Sequence, residues 1–233
     1  MDQPSLPLDG ETPEDGSEAA PYDATAFVPT DADLDALRAA VPACRGCPLY
    51  IDTTTGVGGV GPSDAAIVLV GEQPGDQEDL AGEAFVGPAG RVLRECLDAA
   101  GIDPATVFMT NAVKHFKHHR QGKRRIHDRP TTQEVNACHP WLDAELSLVR
   151  PRLIVALGAT AARAVVGKDV AIAKVRGETL RRPAGPDVDG DATDVYVTYH
   201  PSAALRQREP ADAAQVRAAI VETLERAKAA VAP

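Results

Sequence analysis

Four of the six histidines and seven basic side chains crowd into residues 114–129, KHFKHHRQGKRRIHDR, against a single acid, Asp128. An imidazole there could act as a nucleophile, a general base or a metal ligand, while the Lys and Arg suit a phosphate backbone. A second chemical cluster lies upstream, where Cys44 and Cys47 form CxxC, with Cys138 far downstream. The pair precedes the first expected strand instead of joining a strand to a helix, so its spacing favours metal ligation, by zinc or iron–sulfur, over thiol–disulfide exchange. Cys96 falls at an apolar position of a helical pattern and is expected in the core. That leaves a fourth ligand to find, and His115 is a candidate because imidazole can replace thiolate in such sites.

Those groups need a scaffold that gathers them. AAIVLVG (65–71), TVFMT (106–110), RLIVALG (152–158) and VYVTYH (195–200) read as short apolar strands. Helical patterns lie between and after them: GPAGRVLRECLDAAG, a helix opened by a Thr131/Glu134 capping box, and the C-terminal DAAQVRAAIVETLERAKAAV. Strands alternating with helices predict a parallel α/β sheet, whose carboxyl-end loops converge on one edge. Those loops are GEQPG, NAVK, GAT and HPS, and three of them are polar, bringing Glu72, Gln73, Asn111 and His200 toward one place.

Length and composition agree with one domain: 233 residues with 44% hydrophobic content can bury a proper core. The formal net charge is -10, but seven acids and no Lys or Arg fall in residues 1–30, so the body is close to neutral. We expect a disordered acidic tail over 1–30 and a single domain over 31–233. No basic leader with an apolar run and no membrane-length apolar segment is present, so the expectation is a cytoplasmic monomer, nucleoid-associated in a prokaryote, with no membrane partner.

GEQPG, FVGPAG, NAVKH, KRRIH, TTQEVNAC, LIVALGATAA and HPS, in that order, resemble the uracil-DNA glycosylase superfamily, and specifically its iron–sulfur family 4 and, through KRRIH, the UdgX branch. The resemblance runs from about Cys44 to the C-terminal helix. It implies a three-layer α/β/α sandwich with a central, mainly parallel sheet. It also implies a four-iron, four-sulfur cluster on Cys44, Cys47, His115 and Cys138, although family 4 ordinarily has cysteine where His115 stands.

By the same resemblance, Phe85 stacks on uracil, Asn111 reads its amide edge, and His200 faces the carbonyl oxygen on which charge grows as the glycosidic bond breaks. His127 of KRRIH becomes the nucleophile at C1′, giving a covalent protein–DNA adduct in a single turnover, with Glu72 and Gln73 supporting it. Lys123, Arg124, Arg125 and Ser202 contact DNA, with Lys117 and Arg120 adding attraction. The implied partner is uracil-containing DNA, single strands included. The rival expectations are an ordinary hydrolytic family 4 enzyme and a non-catalytic iron–sulfur DNA-binding protein.

Overall fold

The computed structural model describes residues 22–183 and 192–232. Its first helix, α1 (Leu34–Ala40), is capped by Asp33, whose carboxylate accepts from the Ala36 N–H, and it leads into the Cys44–Cys47 loop. Then follow β1 (Ile67–Gly71), α2 (Asp76–Ala81), α3 (Pro88–Ala99), β2 (Phe108–Asn111), β3 (His118–Gln121) and β4 (Arg124–His127). The remainder is α4 (Thr132–Val149), β5 (Leu153–Leu157), α5 (Ala159–Val166), α6 (Ile172–Val175), β6 (Leu180–Arg182), β7 (Thr193–Thr198), α7 (Ser202–Leu205) and α8 (Pro210–Ala230).

Five strands form the central sheet in the order β2-β1-β5-β7-β6, with the first four parallel. All five residues of β1 and of β5 are buried, the continuous apolar run of a strand covered on both faces. Successive side chains alternate between two cores: Val68 and Val70 join Leu37, Trp141, Leu142 and Val165 from α1, α4 and α5. Ile67 and Leu69 point the other way, to Val92, Leu93, Ile220 and Leu224 from α3 and α8. The result is a three-layer α/β/α sandwich, as expected.

The four apolar strands and the Thr131/Glu134 capping box lie where the sequence puts them, and Cys96 is buried. Helix α2 forms where a polar loop was expected, and two strand features were not foreseen. One is the edge strand β6, antiparallel to β7. The other is the β3–β4 hairpin, which turns the basic stretch from a loop into a two-stranded arm with its turn at Gly122, where φ is +62°. Of the acidic tail, residues 1–21 lie outside the described part. Residues 22–30 are held against the domain: Ala24 is buried and its N–H donates to the Ala137 carbonyl at 3.0 Å.

Lys114, read in the sequence as part of the basic island, has no exposed side-chain surface and pairs with Glu145 of α4 at 2.7 Å. Its ammonium also donates to Thr110 Oγ1 (2.7 Å) and the Asn111 carbonyl (2.9 Å), so all three protons are used. Glu145 is matched as fully, accepting from the Gly59 N–H and the Thr110 hydroxyl. A buried pair is tolerated only with such complete pairing; removing one partner would strand the other charge at a cost of about 3–5 kcal/mol. This network fixes the end of β2, where the site begins.

Candidate functional site

The carboxyl ends of β1, β2 and β7 open onto a cavity of about 450 Å³, lined by Gln73, Phe85, Asn111, His127, His200 and Ser202 among others. Each wall is set by local chain geometry. Asn111 ends β2 in register with Gly71, and a Cβ on Gly71 would lie 2.3 Å from Asn111 Oδ1 and 2.8 Å from Phe85 Cζ. Only glycine lets the amide and the aromatic ring meet there. Phe85 itself has φ +57°, a left-handed conformation costly for an aromatic residue. It is held by Arg94, which donates to its carbonyl at 2.8 Å, and by Gly90, where a Cβ would sit 1.7 Å from that same oxygen. The Glu78 carboxylate ties the two loops together by accepting from the N–H groups of Gly75 (3.1 Å) and Gly87 (2.9 Å).

The β3–β4 hairpin supplies the remaining wall. His127 ends β4 with its side chain 49% exposed and Nε2 3.4 Å from Glu72 Oε1. Gln73, expected to support His127, grips the hairpin base: its Nε2 donates to the carbonyls of Lys117 (3.1 Å) and Asp128 (3.0 Å), and its Oε1 accepts from the Lys117 N–H (3.0 Å). Arg125, expected on DNA, is turned inward in this structure. Its guanidinium meets Asp76 and Asp79 at 2.5 Å each and lies 5.5 Å from the Phe116 ring centroid. Two carboxylates, one of them fully buried, outcompete solvent for that cation, so Arg125 locks the hairpin to α2.

With Lys114 buried and Lys117 paired to Glu134 at 2.8 Å, the island presents Arg120, Lys123 and Arg124 at an exposed tip. Ser202, expected on DNA, faces His200: its Oγ lies 2.8 Å from Nδ1 and accepts from Arg206 at 2.7 Å. Arg206 and the half-exposed Leu205 line the cavity and were missed by the sequence reading, although LRQRE directly after HPSAA marked them. Thr160 was also passed over; its hydroxyl donates to Glu72 Oε2 at 2.5 Å.

Cys44, Cys47, His115 and Cys138 are all buried. Among the described residues, no group of three His, Cys, Asp or Glu side chains is arranged to hold a single metal ion. A polynuclear cluster spaces its ligands more widely than a lone ion, and the chemistry of this donor set fits one. Three N–H groups aim at sulfur: Trp141 Nε1 and the Gly46 N–H at Cys44, and the Lys114 N–H at Cys138. Burial pushes the Cys138 thiol up to about 12, with further raising by nearby Cys47 and Cys44, so the three sulfurs sense one another. Burial likewise raises Cys47. Burial, and then Arg45, lowers His115 to about 4, keeping its imidazole in the neutral form that ligates. Thiols this reluctant to ionise become thiolates when a metal centre supplies the charge.

A family model described as the uracil DNA glycosylase superfamily matches residues 59–225. The chain is 40% identical to a type-4 uracil-DNA glycosylase of Thermotoga maritima, over 81% of this chain and 89% of that protein. Its identity to the type-4 uracil-DNA glycosylase of Pyrobaculum aerophilum is 35%, over 75% and 86%. For that of Archaeoglobus fulgidus it is 35%, over 74% and 83%.

His200 has a defined protonation state. Burial, then the nearby charges of Arg206 and His127, lowers it from 6.5 to about 4. The Ser202 N–H donates to Nδ1 at 3.2 Å, which leaves Nε2 to carry the proton. Because the folded value lies below the unfolded one, the unfolded chain binds the extra proton, and His200's contribution to stability falls as pH drops from 6.5 toward 4. Nitrogen-15 NMR of labelled protein should show a neutral, Nε2-protonated His200 at pH 6. An imidazolium signal at that pH would contradict this assignment.

Proposed function

The chain belongs to the uracil-DNA glycosylase superfamily, and from that premise we propose that it excises uracil from DNA as family 4 enzymes do and is then joined to the product through His127, as the KRRIH motif of the UdgX branch suggests. The observation that carries this reading is the position of His127. It lines the same cavity as Phe85, Asn111 and His200, and its ring faces the Glu72 carboxylate.

A base inside a duplex is out of reach, so the substrate is a flipped or single-stranded uridine. Phe85 offers the uracil a flat apolar face. Among the described residues the Asn111 side-chain amide makes no hydrogen bond to protein, so it is free to pair with the uracil edge. Cytosine presents an amino donor where uracil has O4, and the mismatch would leave a buried polar group unpaired, a penalty of about 1–3 kcal/mol. As the C1′–N1 bond breaks, its electron pair leaves with uracil. The neutral His200 donates Nε2–H toward the carbonyl oxygen that gains charge, without bringing a second proton that solvent would have to remove.

At C1′ a ring nitrogen of His127 supplies the lone pair for the new bond, while the other nitrogen keeps its proton. The ring becomes a C1′-bonded imidazolium, and Glu72 offsets that charge or takes the N–H proton. The departed uracil anion takes a proton from solvent, which balances the step. Arg120, Lys123 and Arg124 hold the phosphates beside the site by salt-sensitive attraction. A second reading, attack by water at the same carbon, is favoured by the type-4 names of the relatives. On either reading Cys44, Cys47, His115 and Cys138 would hold a four-iron, four-sulfur cluster. Bound there, it would tie the N-terminal loop to the segment leading into the hairpin and to α4, supplying structure, and no part of base excision runs through it.

Two experiments test these statements. Wild-type protein mixed with a labelled single-stranded oligonucleotide carrying one uracil should give a band that stays shifted after heat and detergent. His127→Ala should lose that band and leave an alkali-labile site slowly; an adduct that survives in the variant would remove His127 from the role. Protein purified without oxygen should be brown with broad visible absorption, and chelating its iron should lower the melting temperature. A colourless protein carrying stoichiometric zinc would contradict the cluster.

A further inference from the structure

Thr160 is the second residue of α5, in the loop–helix junction after β5, and is buried. Its hydroxyl donates to Glu72 Oε2 at 2.5 Å and accepts from Arg129 Nε–H at 3.2 Å. The other carboxylate oxygen, Oε1, faces His127 Nε2 at 3.4 Å. A hydroxyl has one proton to give, and an N–H arriving at its oxygen commits that proton to Glu72. We propose that Thr160, loaded by Arg129, is a positioning residue that fixes the rotation of the Glu72 carboxylate so that Oε1 confronts the reacting ring of His127.

The physical need is specific. The last torsion of a glutamate is broad and roughly two-fold, so a carboxylate alone turns freely between orientations. Glu72 follows Gly71 in the turn after β1, its side chain is 22% exposed, and its two carboxylate oxygens face different partners, Thr160 and His127. One short hydrogen bond to Oε2 removes the freedom and leaves Oε1 for the site. The source of the second hydrogen bond ties this aim to the hairpin. Arg129 immediately follows Asp128, whose carbonyl is held by Gln73 and whose N–H donates to the Lys117 carbonyl at 3.0 Å. The residue that loads Thr160 therefore follows directly on the hairpin base, so the segment that carries His127 also carries the group that aims its carboxylate.

This inference rests on the reading of Glu72 as a working carboxylate. It is tested by single-turnover loss of uracil from a single-stranded oligonucleotide, a readout that attack by His127 and attack by water both produce. Thr160→Val should leave the melting temperature and the half-saturating protein concentration unchanged and lower the maximal rate by roughly tenfold, while Thr160→Ser stays within about twofold of wild type. Added to Glu72→Ala, Thr160→Val should slow the reaction no further, because its effect passes through the missing carboxylate. Thr160→Val at the wild-type rate, Thr160→Ser as slow as Thr160→Val, or equal slowing in the Glu72→Ala background would overturn the inference while leaving Glu72 in its role. Glu72→Ala at the wild-type rate would overturn the reading beneath it and the inference with it.

Discussion

A lysine ammonium closed off from water organises the site side of this molecule. Lys114 and Glu145 are buried together, and neither charge is tolerable without the other and its full set of hydrogen bonds. The bonds they need come from three separate parts of the chain: the Gly59 N–H, Thr110 and the Asn111 carbonyl of β2, and α4. Satisfying the pair therefore fixes where β2 ends and which way Asn111 leaves it. It also sets the path of residues 114–117, whose backbone gives an N–H to Cys138 and then both its groups at Lys117 to Gln73. One buried pair thus joins the cysteine-rich side of the domain to the cavity.

The hairpin built on that path has little stability of its own, since an isolated two-stranded arm is marginal in water. Arg125 on Asp76 and Asp79, its contact with Phe116, and the Gln73 grip at the base supply what pairing alone does not. Charge that looked like a surface for DNA is divided between two tasks. Lys114, Lys117 and Arg125 hold the protein together, while Arg120, Lys123 and Arg124 remain outside. The two histidines in the cavity are separated in the same physical way: burial first, and then Arg206, keep His200 neutral, whereas His127 is half exposed beside a carboxylate.

The legibility of the sequence follows from where the stabilising interactions lie. β1 and β5 are readable because a strand buried on both faces must be a continuous apolar run, and the loops after parallel strands must converge. Glu72, Gln73, Asn111 and His200 were therefore traceable to one edge of the sheet, whereas Phe85 and His127 joined them only through the family resemblance. The hairpin was not traceable, because HHRQ and RRIH show no apolar alternation and owe their pairing to partners 44 to 55 residues away. The burial of Lys114 and the inward turn of Arg125 depend on Glu145, Asp76 and Asp79, which no local pattern connects to them. Thr160 escaped notice because the GAT loop contains only small residues, and its hydrogen-bond partner is a carboxylate 88 positions earlier.

In the proposed function one imidazole, held at the cavity mouth by the β3–β4 arm, forms a bond to deoxyribose. The most direct measurement is peptide mass spectrometry of protein reacted with uracil-containing single-stranded DNA and digested with nuclease and protease. The account predicts the added mass of a deoxyribose-linked remnant on the peptide containing His127, with fragment ions assigning it to that residue. An unmodified His127 peptide alongside free uracil would mean that water does the chemistry here, and a remnant on any other residue would contradict the site as described.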